Sequence, residues 1–409
     1  MSTLRIYTQR DFLLLWSGNV TSLVGFYGIR IAYPMLMLAV TGSAAAAGWI
    51  GFALSVPTLL FAMPVGVVAD RYNTLRIIGA CQIAGAAGTC MAIAVISTRL
   101  PHSGVILDIA AFIEGTAYVF IGVSEVGAVR DVVTPEQRSA AYSFVEAEQP
   151  IAILVGRAAG AAIYGVARWL PFAANAMSYA YCLLAVCLIR SKPAAPQSTT
   201  PGGRSAYREM VDGLRAVWTE PLLRASTAAI AISNVVIQIV LLLILVELKA
   251  AGQPPWAAGV VLAAAGVGGV LGATIATRLT ERVPARFVYL GALWAWTLLL
   301  VPVALTTNPI VLAICWGGVG GVGVASNVAL TVYQVGIIPE ATLGRAIATM
   351  GLVCQAGVAL GALAAGYLIS AFGVMTTRWV VLAGMFILAV TAVTVAPSPA
   401  RRDRTAVPT

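Results

Sequence analysis

Four ionisable side chains fall inside runs of apolar residues: Arg30 in "GFYGIRIAYPMLML", Glu114, Glu148 and Arg157. A charge in hydrocarbon costs about 2.5 to 3.5 kcal/mol on insertion scales, so such groups pair with one another or face a water-filled cavity. A carboxyl group there can take up and release a proton as its surroundings alternate. A guanidinium stays charged and can only change partners. With 1.5 Å of rise per residue, Arg30 lies roughly 6 to 7 Å outside the midplane of its span, Glu114 about 3 to 4 Å and Arg157 about 7 Å. The three share one layer. Glu114 is the expected proton-titrating group, Arg30 and Arg157 its charged surroundings, and Glu148 a second acid on the inner half of its span.

The elements that carry these groups are membrane spans. The chain has 409 residues, 60% hydrophobic and 10% charged, with a mean hydropathy of +0.91; soluble domains carry about 25% charged residues. Twelve stretches are long enough to cross roughly 30 Å of hydrocarbon. They lie near residues 12–39, 44–68, 76–98, 104–129, 139–165, 169–190, 222–247, 256–277, 286–306, 309–335, 346–371 and 376–397. The first run continues from Phe12 to Val40, longer than the roughly 7 to 15 apolar residues of a signal peptide, and reads as a retained span. Placing both termini in the cytoplasm puts 19 of the 25 basic residues on the inner side, including Arg71, Arg76, Arg130 and Arg138. The net charge of +9 is then membrane topology, with no nucleic-acid partner implied.

Other chemistry is excluded by inventory. The six cysteines all fall within spans and form no metal-ligand spacing, and the one histidine, His102, lies in an outer loop. There is no nucleophile with a histidine partner and no Walker loop; "GGVGGVG" at Gly317 lies within a span and reads as close helix packing. No enzyme, cofactor or metal is expected. Tyr27, Tyr118, Asn234, Gln238, Trp316 and Asn327 are the expected walls of a space for an amphipathic small molecule.

A polar interval from Ser191 divides the spans six and six. The expected organisation is an N-terminal bundle over 1–190, a linker over 191–221, a C-terminal bundle over 222–397 and a tail over 398–409. Within the linker, Met210, Leu214, Val217 and Trp218 recur at helical spacing, as in an amphipathic helix at the membrane surface. "VVTPEQRSAA" after the fourth span echoes "GIIPEATLGRAIA" after the tenth, as expected of two related bundles.

"GVVADRYNTLR", from Gly66 to Arg76, resembles the loop between the second and third spans of the major facilitator superfamily. "TGS" at Thr41, "VVTPEQ" at Val132 and "ARWLPFAANAMSYA" at Ala167 favour its small-molecule exporters of the macrolide-efflux and enterobactin-exporter kind, which are drug:proton antiporters. The resemblance implies an all-α fold of two six-helix bundles, with the first, fourth, seventh and tenth spans lining a central cavity. Arg30 and Glu114 would then face each other, with Arg157 closing a triad. It also implies that Gly66, Asp70, Arg71, Arg76 and Arg130 form a latch between the halves. The implied function is proton-driven efflux of a drug or secondary metabolite by a monomer in the cell membrane. Uptake, or flipping of a lipid-like substrate, is the alternative, and a non-transporting receptor the less favoured one. The chain departs from the family at Asn73, where glycine is usual, and at Arg157, where the fifth-span exporter motif has proline. It departs again at Phe26, where an acid is frequent.

Overall fold

The protein was analysed as a computed structural model that describes residues 9–62, 64–98, 102–190, 215 and 218–395. The expected amphipathic helix, apart from Trp218, and the tail over 398–409 lie outside the described residues.

The described chain is helical, with no strand. Helices α1 (Arg10–Thr41), α2 (Ala44–Phe61), α3 (Pro64–Arg71), α4 (Thr74–Thr98), α5 (Ser103–Val132), α6 (Arg138–Val166) and α7 (Leu170–Leu188) precede the linker. Helices α8 (Pro221–Ala250), α9 (Pro255–Arg282), α10 (Ala285–Leu305), α11 (Pro309–Ile337) and α12 (Glu340–Val395) follow it. The second expected span is α2 and α3 together, interrupted before Pro64. Helix α12 contains the last two spans, and its helical run is broken at Gly373, where φ is 74° and ψ 170°.

The turns have local causes. Gly42 ends α1 with φ 67°, and Ser43 starts α2 by accepting a hydrogen bond from the Ala46 amide at 3.2 Å. That makes the link at Thr41 to Ser43 a tight hairpin. Asn308 caps α11 in the same way, accepting from the Ile310 amide at 2.9 Å. Asn73 does not take up a left-handed conformation in place of glycine; its side chain accepts from the amides of Leu75 and Arg76 at 2.9 and 3.2 Å. His102 is the described non-glycine residue with positive φ.

Helix packing without a hydrophobic driving force depends on close approach of backbones. The glycines of "GGVGGVG" lie in α11 against α9. A side chain at Gly272 would meet the Gly321 backbone, with Cα at 2.9 Å, and one at Gly317 would meet the Ala264 carbonyl at 3.2 Å. In the first half, Gly28 of α1 crosses Gly156 and Gly160 of α6 just as tightly.

The halves touch through α2 with the first limb of α12 and through α6 with α9. The polar contacts between them lie at the end remote from the termini. There the Ala45 amide donates to Ser370 at 3.0 Å, Trp49 donates to Tyr367 at 3.1 Å and Lys249 donates to the Leu38 carbonyl at 2.7 Å. Towards the termini, Gly66, Gly344 and Gly351 face open space. The arrangement is therefore closed at the far end.

Replacing Gly272 with valine should cost about 1 to 3 kcal/mol by overpacking the α9–α11 crossing. Gly291→Val, where no neighbour stands within 4 Å, should be tolerated. Thermal unfolding in detergent, followed by light scattering, separates the two variants; equal melting points would contradict the packing assignment.

Candidate functional site

Three polar groupings among the described residues hold the charges singled out by the sequence, and α1, α5 and α6 supply most of their members. The first surrounds Glu114, which is fully buried. Oε1 accepts from Tyr33 at 3.0 Å and Thr89 at 2.7 Å. Oε2 accepts from Asn175 at 2.9 Å and Tyr179 at 2.8 Å. An ionised carboxylate is an acceptor only, and four donors from α1, α4 and α7 satisfy both of its oxygens. Asn175 and Tyr179 lie one turn apart on α7, and Asn175 also donates to Thr89 at 3.0 Å.

The second grouping lines a cavity of about 370 Å³ between α1, α5 and α6. Glu125 and Glu148 are 7% and 2% exposed, and their carboxyl groups lie close enough to interact directly, with Asn19 beside Glu125. Oε1 of each acid and Nδ2 of Asn19 are enclosed without a hydrogen-bond partner. Among the described residues no cation pairs with either acid. Above them, Gln149 donates to Tyr27 at 3.0 Å, and the Tyr27 and Tyr118 hydroxyls stand 3.5 Å apart. Phe26 stacks flat on Tyr118 with ring centres 4.5 Å apart.

The third grouping lies where the halves meet. Arg30 and Arg157 line a small cavity of about 40 Å³ together with Gln238 of α8 and Ala362 of α12. Arg30 donates to Ser55 at 3.4 Å and lies over the rings of Phe26 and Tyr27 at 5.8 and 5.9 Å. Nε of Arg157 is enclosed without a partner.

This arrangement corrects several expectations. Arg30 and Glu114 do not pair, and Arg157 closes no triad with them. Helical side chains lean towards the N-terminus of their helix, so Arg30 reaches back over Phe26 and Tyr27. Glu114 sits at the level of Tyr33, one turn the other way. Glu125, near the inner end of α5, is buried beside Glu148. Glu148, the second acid of the expected set, lines the cavity, and Glu146 joins it at the exposed rim. The expected latch is not assembled. Asp70, Arg71 and Arg76 are exposed without a described ion pair, and Arg130 approaches its neighbour Asp131 at 3.9 Å. Among the described residues no ion pair joins these groups to the opposite half. Trp316 does not wall a substrate space: it is 2% exposed within the second bundle, beside Ser233, Trp296 and Met385. Asn234 donates to the Cys354 carbonyl at 3.0 Å between α8 and α12, and Asn327 is exposed on α11. Tyr118 and Gln238 do line cavities, whereas Tyr27 is buried with its hydroxyl bonded to Gln149.

Glu125 carried a signal in the sequence. It stands eleven residues after Glu114, which at 3.6 residues per turn is an angular offset of only about 20°, so both lie on one stripe of α5. A cavity of about 970 Å³ along α9, α10 and α11 has no ionisable residue in its lining.

The profile of the Major Facilitator Superfamily matches residues 15–283. The chain belongs to this superfamily. It is a multi-pass membrane transporter, not an enzyme. Macrolide efflux protein A of Streptococcus pyogenes is 30% identical over 162 residues, 38% of this chain and 38% of that protein. The transporter thus matches well under half the length of that relative. Multidrug efflux pump Tap of Mycolicibacterium fortuitum is 23% identical over 409 residues, covering 94% of this chain and 96% of that protein. Among solved structures, nucleoside transporter NupG superposes with a TM-score of 0.77 at 13% identity, over 94% of this chain and 98% of that one. A bacterial homologue of the iron transporter ferroportin, in an inward-facing state, gives 0.72 at 14% identity, over 95% and 99%. At such identities the likeness concerns the fold.

Glu114→Gln would turn an amide NH2 towards two of its four donors. Leaving a buried donor unsatisfied costs about 1 to 3 kcal/mol, so the variant should melt at a lower temperature than the parent in detergent. An unchanged melting point would refute the assignment of Glu114 as a structural acceptor.

Proposed function

We propose that this transporter exports a small amphipathic molecule, a drug or secondary metabolite, by alternating access driven by protons. The proton site is the Glu125–Glu148 pair. Glu114 and Arg30, first in line from depth alone, are a structural acceptor and a cavity-wall cation in this reading. The single observation that carries it is a pair of enclosed carboxyl groups, without a cation, facing a cavity beside an aromatic wall. Two carboxylates in contact repel, and neither can donate to the other unless one holds a proton. Loading and releasing that proton changes the charge of the cavity wall by one unit.

Alternation follows from the same frame. Far-end contacts through Lys249, Ser370 and Tyr367 hold one state. Closing the other end would bring Asp70, Arg71, Arg76 and Arg130 near the opposite bundle, as the latch reading requires. The two bundles over 1–190 and 222–397 would move as units about the small-residue crossings, with the termini in the cytoplasm and one copy sufficing. The efflux proteins among the relatives support outward direction. Phe26 and Tyr118 line the cavity and supply apolar faces, with the Tyr118 hydroxyl as a polar rim, for the cargo.

The test is transport of a labelled macrolide into proteoliposomes under an imposed pH gradient. Wild type should accumulate it against its concentration gradient. Glu148→Gln and Glu125→Gln should abolish accumulation while leaving downhill exchange in place, and Glu114→Gln should retain accumulation in the fraction that folds. Full gradient-driven accumulation by both pair variants would remove the acids from coupling.

A further inference from the structure

In the export reading the arginines at the joint between the halves lie outside the proton site. Arg30 of α1 and Arg157 of α6 are brought together by the glycine crossing beside them, where Gly28 packs on Gly156 and Gly160. Their guanidinium groups repel each other. Both are half-buried, with Nε of Arg157 enclosed, and among the described residues no carboxylate is bonded to either. The acids that could have answered them are engaged or distant. Glu114 is taken by four donors, and Glu247 by Arg378. Glu148 stands nine residues before Arg157, about 13 to 14 Å along the helix axis.

Two neighbouring cations without a counter-charge in a membrane interior are costly unless something negative joins them. Guanidinium is suited to that partner because its planar donor fork matches a carboxylate or phosphate in two parallel hydrogen bonds. Here Nε of Arg157 is enclosed and unpartnered, Arg30 holds one long bond to Ser55, and Gln238 adds an amide from the opposite half. The cavity of about 40 Å³ between them has room for a group of carboxylate size. The aromatic wall of Phe26, Tyr27 and Tyr118 begins one turn away on α1, where an apolar body attached to that group would lie.

We infer that Arg30, Arg157 and Gln238 form an anion-binding subsite, and that the cargo is an organic anion: an amphipathic molecule whose carboxylate or similar acidic group bridges the two halves. This inference deepens the export reading and rests on it for the word cargo; the anion site itself is independent of coupling and direction. A bound anion would neutralise the arginine pair at the contact between α1, α6 and α8, so occupancy and the closeness of the halves would be linked.

The experiment is equilibrium binding to the purified full chain in detergent, with no gradient imposed. The probes are naphthalene-2-carboxylate and its neutral isostere naphthalene-2-methanol. The carboxylate should bind at least about tenfold more tightly, because charge-assisted hydrogen bonds favour it. That preference should persist when phosphatidylglycerol is added. Arg157→Met and Arg30→Met should each erase it. Gln238→Leu, on the other bundle, should reduce it without touching the arginines, which keeps the inference open to refutation if an arginine variant fails to fold. Equal binding of the two probes by wild type would overturn the anion site. So would a preference that survives in a well-folded Arg157→Met, or one lost when the anionic lipid is present. Loss of gradient coupling in the acid-pair variants with the carboxylate preference intact would bear on the proton pair alone.

Discussion

The Glu114 carboxylate, held by four hydrogen bonds inside the first bundle, is the interaction on which the distribution of charge in this protein depends. A membrane interior offers no water to satisfy a polar group, so each must find partners within the protein. Glu114 finds its partners in Tyr33, Thr89, Asn175 and Tyr179, and thereby ties α5 to α1, α4 and α7. The same saturation withdraws it from Arg30. One group that could have neutralised the arginines is therefore spent on structure, and the cations at the joint and the acids in the cavity stand apart.

The separation is ordered along two helices. On α6, Glu148 precedes Arg157 by about 13 to 14 Å of helix axis, and on α1, Asn19 precedes Arg30 by about 16 to 17 Å. Between them on α1 lie Phe26 and Tyr27, stacked against Tyr118 and bonded to Gln149. An acidic end, an aromatic middle and a basic end follow one another along the first bundle. The second bundle contributes apolar surface and the amide of Gln238. Small residues permit this geometry: Gly28, Gly156 and Gly160 let α1 and α6 approach until neighbouring side chains from both helices reach one space.

Much of this was legible in the residues. The span boundaries follow from runs of apolar side chains bounded by polar or turn-forming groups, and Gly42 with Ser43 and Asn308 behave at the hairpins as their chemistry requires. Depth estimates put Arg30 and Arg157 in one layer, and the structure brings them to one cavity. The placement of Glu125 was available from its helical phase with Glu114 but is obscured by its nearness to the end of a span. Trp316 misleads for a related reason. An aromatic residue on an apolar helix has the same local sequence context whether it faces a cavity or the middle of its bundle.

What the sequence determined by itself is which segments lie in hydrocarbon, where they turn, how deep each charge sits and which superfamily the chain resembles, because these follow from composition, periodicity and short motifs. Only the tertiary structure decided which charges meet. Rotation of a helix about its axis and the lean of its side chains set partners without changing depth. Arg30 and Glu114 lie within one layer yet belong to different groupings: one reaches back over Phe26 and Tyr27, and the other faces α7 across the bundle, where Asn175 and Tyr179, together with Tyr33 and Thr89, already fill its bonding capacity.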